Sequence, residues 1–207
     1  MIYTGEVEKL DLLGERLCLD FTNTAGTQPA GATNDLLTAY PRLIEWSAYV
    51  GVIGEDEAEH LLEWAGAHLA EADTALHYAI AVRQTLYHIL AAAAADVAPE
   101  PSEMQAFNHI LSQAMTHLRL TPGTEGFDWA CATDTHDMEK MLWPVVWSAA
   151  ELVTSHDLVH LRECAGDDCN WLFLDTSKNH SRRWCSMKDC GNRAKAKTHY
   201  QRVRQGN

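Results

Sequence analysis

Four cysteines near the C-terminus have the residue type and spacing to do chemistry. Cys164 and Cys169 enclose four residues, Cys185 and Cys190 enclose four more, and fifteen residues separate the two pairs. Thiolates are soft ligands, and four of them complete a tetrahedral zinc shell. Each short pair can sit on one tight turn, and the gap between the pairs allows a hairpin that brings the second turn back to the first. Gly166 gives the first turn a close backbone approach. Two disulfides would use the same residues but need an oxidising compartment. Four unrelated buried thiols would not account for the symmetric spacing. A four-sulfur shell leaves no open position for water or substrate, so the expected metal is one structural zinc per chain.

The residues around these cysteines extend the pattern. Trp171-Leu172-Phe173-Leu174-Asp175, Ser181-Arg182-Arg183-Trp184-Cys185-Ser186-Met187 and Cys190-Gly191-Asn192-Arg193 together resemble the CGNR zinc finger. In that family the finger follows an N-terminal ABATE domain, described as a stress-induced transcription regulator. The leader motif of that domain resembles Leu17-Cys18-Leu19-Asp20-Phe21-Thr22-Asn23-Thr24. The resemblance implies bacterial DNA binding and a regulatory role in transcription under stress.

Charge is divided along the chain. The whole carries a formal net charge of −13, yet residues 162–207 hold ten Lys/Arg against five Asp/Glu, and from Lys178 onward the only acid is Asp189. A net acidic chain argues against nucleic acid, but a basic segment on an acidic body argues for it locally. The acidic body could also fold over the basic tail and mask it. No run of 18 apolar residues is present, so no membrane span is expected. The first residues lack the pattern of a secretory signal, which predicts a cytoplasmic protein with reduced cysteines.

The elements that must position the finger read as mainly α. Residues 1–155 are expected to form a helical domain with a small β-hairpin, and 156–207 a treble-clef-like finger of β-hairpin and helix. Residues 1–14 read as a lead-in, and a helix follows from about Glu15 to Thr24. Residues 25–38, rich in Gly, Thr, Ala and Pro, read as a loop. Amphipathic helices are predicted over Tyr40–Val50, Glu55–Glu71, Asp73 or Thr74 to about Asp96, and from Ser102 onward. Two short strands, Leu118–Leu120 and Phe127–Ala132, flank a Pro-Gly turn. Helix returns over Asp137–Ser155, kinked or restarted by Pro144. Arg83 lies inside an apolar stripe, where it either awaits a carboxylate or snorkels outward; the second is preferred.

Within the finger, Trp171–Leu174 and Ser181–Trp184 are expected to pair around the turn Thr176–Ser181. The helix that follows runs to about Arg204, with Ala196, His199 and Val203 towards the module. Arg193, Lys197, Tyr200 and Arg204 then share a face suited to phosphates or a groove. Asn192 and Arg193 are the candidates for base edges, because amide and guanidinium groups bond in pairs. Arg182, Arg183 and Lys195 complete the expected nucleic-acid surface, one of the two adjacent arginines pairing with Asp175.

Other candidates are weaker. Asp20 and Asn23 lie three apart on one helix face and read either as a small-ligand site or as a polar pair joining neighbouring elements. His156 and His160 have a helical metal spacing without the glutamate of a metalloprotease. Cys18 and Cys131 read as small buried apolar residues. No phosphate-cradling glycine loop, nucleophile elbow or persuasive carboxylate pair is present, so no enzyme is expected. The expected protein is a zinc-dependent DNA-binding regulator whose helical domain senses an effector or forms a homodimer. The alternative is a zinc-stabilised protein-interaction module.

Overall fold

The structure is a computed structural model that describes residues 12–25, 35–124, 126–132 and 134–205. Most of the lead-in, and most of the loop between the first two helices, lie outside the described residues. Seven α-helices are present among the described residues: α1 Leu17–Thr22, α2 Tyr40–Tyr49, α3 Glu55–Ala67, α4 Leu69–Ala94, α5 Pro101–His117, α6 Leu142–Thr154 and α7 Asn192–Gln205. Two antiparallel hairpins accompany them, β1 Leu118–Gly123 with β2 Gly126–Cys131, and β3 Leu161–Glu163 with β4 Leu172–Leu174.

Helix α4 is the central post. Its Ala75, Ala79, Val82, Leu86, Ile89 and Leu90 are buried along its length, and α1, α2, α3, α5 and α6 all pack on it. Fully burying a side chain such as Leu86 or Leu90 contributes roughly 1.5–3 kcal/mol. The expected break between α3 and α4 falls earlier in the chain, at His68. That ring stacks on Trp64 at 3.8 Å, and its Nδ1 lies 2.9 Å from the Trp64 carbonyl oxygen, which ends α3 locally. Helix α6 starts at Leu142 rather than Asp137. Pro144 has no N–H to give to a preceding turn, so it fits the first turn of a helix and not its interior.

Arg83 corrects the preference for snorkelling. It is 3% exposed and donates to Thr24 Oγ1 at 3.0 Å and Asp35 Oδ1 at 2.7 Å. The carboxylate that makes this burial tolerable comes from the connection after α1, more than 45 positions earlier in sequence.

The two predicted strands form a hairpin, β1–β2, that pairs Leu120 with Trp129 and Pro122 with Phe127. Leu120, Phe127 and Trp129 are exposed, and Trp129 leans on Trp147 with ring centroids 5.2 Å apart.

Candidate metal centre and the basic helix beside it

The strand pairing in the finger differs from the expectation. Strand β4 pairs with β3, and residues 181–184 form no strand. The free edge of β4 is already occupied from the N-terminal side. The carboxamide of Asn23 takes both backbone groups of Leu172, donating to its carbonyl at 2.8 Å and accepting its N–H at 2.9 Å. Leu174 N–H donates to the Gly14 carbonyl at 3.4 Å. A third strand therefore has no edge to join.

Strand β4 also divides two cores. Leu172 and Leu174, with Leu161 of β3, belong to the helical core. Trp171 and Phe173 point the other way and pack with Cys164, Cys169, Cys185 and Cys190, against Leu13 and Trp184. The alternation of side chains along a strand, two residues per repeat, makes one short hairpin the wall of both.

The turn joining β3 to β4 carries the first cysteine pair. Cys164 N–H donates to the Trp171 carbonyl at 2.9 Å, and Cys169 N–H to the Gly166 carbonyl at 3.1 Å. A Cβ at Gly166 would stand 3.2 Å from Cys169 Cβ and 3.4 Å from Cys190 Sγ, so any larger residue would press on the cysteines and glycine leaves them room. The second pair lies on a π-turn, Met187–Gly191, and on the residue two before it. Ser186 Oγ accepts the Asp189 N–H at the start of that turn.

All four sulfurs lie within 4.8 Å of one another and are buried. Cys185 Sγ is 3.7 Å from Cys169 Sγ and 3.7 Å from Cys190 Sγ. A tetrahedron with zinc–sulfur bonds of about 2.3 Å has edges of about 3.8 Å, so these separations fit the ion. Charge is consistent with it as well. Hydrogen bonds from Cys169 and Cys185 hold Cys164 well below the usual thiol range, and the bonds to Cys164 push Cys169 and Cys185 up. Without a cation, sulfurs this close cannot all be thiolates; a dication removes that conflict. The Cys185 N–H donates to Cys164 Sγ at 3.3 Å, and Arg193 Nη2 donates to Cys190 Sγ at 3.2 Å. Such bonds orient ligands and draw off their charge.

The candidate contact residues separate into two groups. Arg182 is built into the finger. Its Nε donates to the Trp184 carbonyl at 3.0 Å, its Nη2 reaches the Cys185 carbonyl, its Nη1 meets Glu15 at 3.3 Å, and its guanidinium lies 4.4 Å from the Phe173 ring centre. Asp175 is fully buried and accepts the backbone N–H of Arg182 at 2.8 Å, rather than either arginine side chain, along with Ser177 N–H and Oγ–H. Burial acts to raise that carboxyl, but these hydrogen bonds outweigh it and hold it below the usual range. Asn192 donates to the Lys188 carbonyl at 2.9 Å, and Lys197 is paired with Asp167.

Arg183, Lys195, Tyr200 and Arg204 are exposed, as is Arg202, which the sequence reading did not single out. Ala196, His199 and Val203 do not turn to the module; they too are exposed, because α7 leaves the finger after its first turn. Among the described residues, the acidic body does not cover this helix.

Asp20 and Asn23 both meet backbone. Asp20 Oδ1 accepts the Gly14 N–H at 2.9 Å, and burial raises its carboxyl to about 6. With Asn23 on Leu172, the pair joins α1 to its neighbours. His160 stacks on His180 at 3.9 Å, across the same joint, and His156 shares no metal cluster with it among the described residues.

A helical body joined through a shared hairpin to a closed four-cysteine centre defines a zinc finger protein. The CGNR zinc finger family matches residues 160–203. Residues 15–156 match the ABATE family, described as "Putative stress-induced transcription regulator". The chain belongs to the ABATE family and carries a CGNR zinc finger. Neither is a family of enzymes. No curated protein matches the chain.

Proposed function

We propose that the chain is a zinc-dependent DNA-binding transcriptional regulator of the stress response, acting in the cytoplasm without catalysis. The helical body senses a small effector or forms a homodimer, and the finger contacts DNA. The observation that carries this reading is α7. It holds five Lys/Arg and no carboxylate, and from Lys195 to Arg204 every residue is exposed. A basic helix with Lys195, Arg202 and Arg204 exposed on it suits a phosphate backbone, and Tyr200 offers a ring to stack or pack. No helix among the described residues is long and apolar enough to cross a membrane.

The test is a fluorescence titration of the zinc-loaded chain on random-sequence duplex DNA across a salt series. Phosphate contacts by three or four of these side chains predict a log–log slope of about −2.7 to −3.6. Absent or salt-insensitive binding would overturn the reading. It would favour the protein-interaction module, for which the exposed Leu120, Phe127 and Trp129 of β1–β2 are the supporting observation.

A further inference from the structure

A cavity of about 820 Å³ lies where the end of α4, the start of α5, the end of α6, the 3₁₀ turn His156–His160 and β3 meet. Its floor is apolar, with Ile89 and Phe107 almost fully buried, and Val97, Met104 and Val159 stand exposed at its margin. Small-molecule sites occupy roughly 300–1,000 Å³ and pair an apolar lining with a few placed polar groups.

Here the placed group is Arg162. Among the described residues it is the only cation in the lining, and Asp96, the only carboxylate there, forms no ion pair with it. Arg162 Nη1 donates to the carbonyls of Val159 at 2.9 Å and Leu161 at 2.8 Å. Both bonds leave from one nitrogen, so the guanidinium is anchored with Nη2 and Nε available to an acceptor. A guanidinium held this way binds a carboxylate or sulfonate through two bonds.

We propose that this cavity binds a small molecule with an apolar body and one anionic group, the anion seated on Arg162. The inference rests on the sensing half of the function proposed above and gives it a place, distinct from Asp20 and Asn23. Arg162 stands two residues before Cys164, so an occupant would touch the strand that leads into the metal centre. A protein helix is a poorer occupant, because the lining is split among five separate segments around one anchored cation.

Binding is tested without DNA, so that failure here is distinct from failure of the finger to bind nucleic acid. Anilinonaphthalene sulfonate is titrated into the zinc-loaded full chain, followed by displacement with decanoate. Saturable binding at one site, displaced by decanoate, is expected. Arg162→Gln should weaken the sulfonate probe about tenfold, while uncharged N-phenyl-naphthylamine changes less than twofold. Ala93→Trp should fill the cavity and abolish both signals, with its urea midpoint checked; Ala94→Phe serves if that variant does not fold. Unsaturable binding, or wild-type binding by a folded filled variant, would overturn the site. Equal loss of both probes in Arg162→Gln would overturn the anionic class. Probe loss on concentration-dependent dimerisation would overturn the small-molecule occupant in favour of a second copy of the chain.

Discussion

Asn23 and Leu172, separated by 149 positions, hold each other as two strands would: the carboxamide takes the Leu172 N–H at 2.9 Å and its carbonyl at 2.8 Å. The side chain of a short helix thereby finishes the edge of the finger's hairpin. Body and finger are one folded unit at this point. A finger cut out at the expected boundary near residue 156 would expose Leu161, Leu172 and Leu174, all buried in the helical core.

Asn23→Ala is expected to destabilise the protein by about 2–4 kcal/mol in urea unfolding. It leaves a buried N–H and a buried carbonyl without partners, each worth roughly 1–3 kcal/mol. Hydrogen exchange at Leu172 should accelerate selectively. Unchanged protection there would contradict the bridging role.

Arg193→Ala should affect the metal before it affects DNA. The guanidinium donates to Cys190 Sγ, and loss of such a bond costs about 10–100-fold in metal affinity. Metal analysis of the native chain should return about one zinc, and Cys185→Ser none. If Arg193→Ala holds zinc as tightly as the native chain, the bond to Cys190 has no electronic role.

Asp20 predicts a stability that falls as pH rises. Its folded carboxyl is raised to about 6 from the ordinary 3.8, so the folded state binds the proton more tightly than the unfolded one. The burial penalty is absent below about pH 4, grows between pH 4 and 6, and is complete above 6. Asp20→Asn keeps an oxygen for the Gly14 N–H and removes the charge. It should stabilise the protein at pH 7 by on the order of 1–3 kcal/mol, with no gain near pH 4. An equal gain at both pH values would assign the effect to something other than ionisation.

Arg202→Glu with Arg204→Glu should reduce DNA affinity without touching zinc content or thermal stability, because both side chains are exposed on α7. The salt slope should shrink by about 2. Lys197→Ala should do less, since Lys197 is already paired with Asp167. Equal effects from the two changes would mean that the Asp167 pair opens on binding.

The sequence by itself determined the metal centre, the helical body and the position of most helices. Cysteine spacing is local chemistry, and a helical stripe repeats within a few residues, so both are visible in a short window. Gly166 was legible for the same reason in its nearest approach, to Cys169 on its own turn, while its approach to Cys190 of the other pair was decided by the fold. What the tertiary structure decided were the partners. Strand β4 chose β3 because Asn23 and Gly14 had taken its other edge, and Arg83 went inward because Asp35 was there to meet it. Arg182 was absorbed by carbonyls and an aromatic ring, while α7 is exposed from Lys195 to Arg204, with Lys197 paired to Asp167. Each outcome is set by which buried polar group or open edge finds a complement far away in sequence, a contest that residue type and local spacing do not encode.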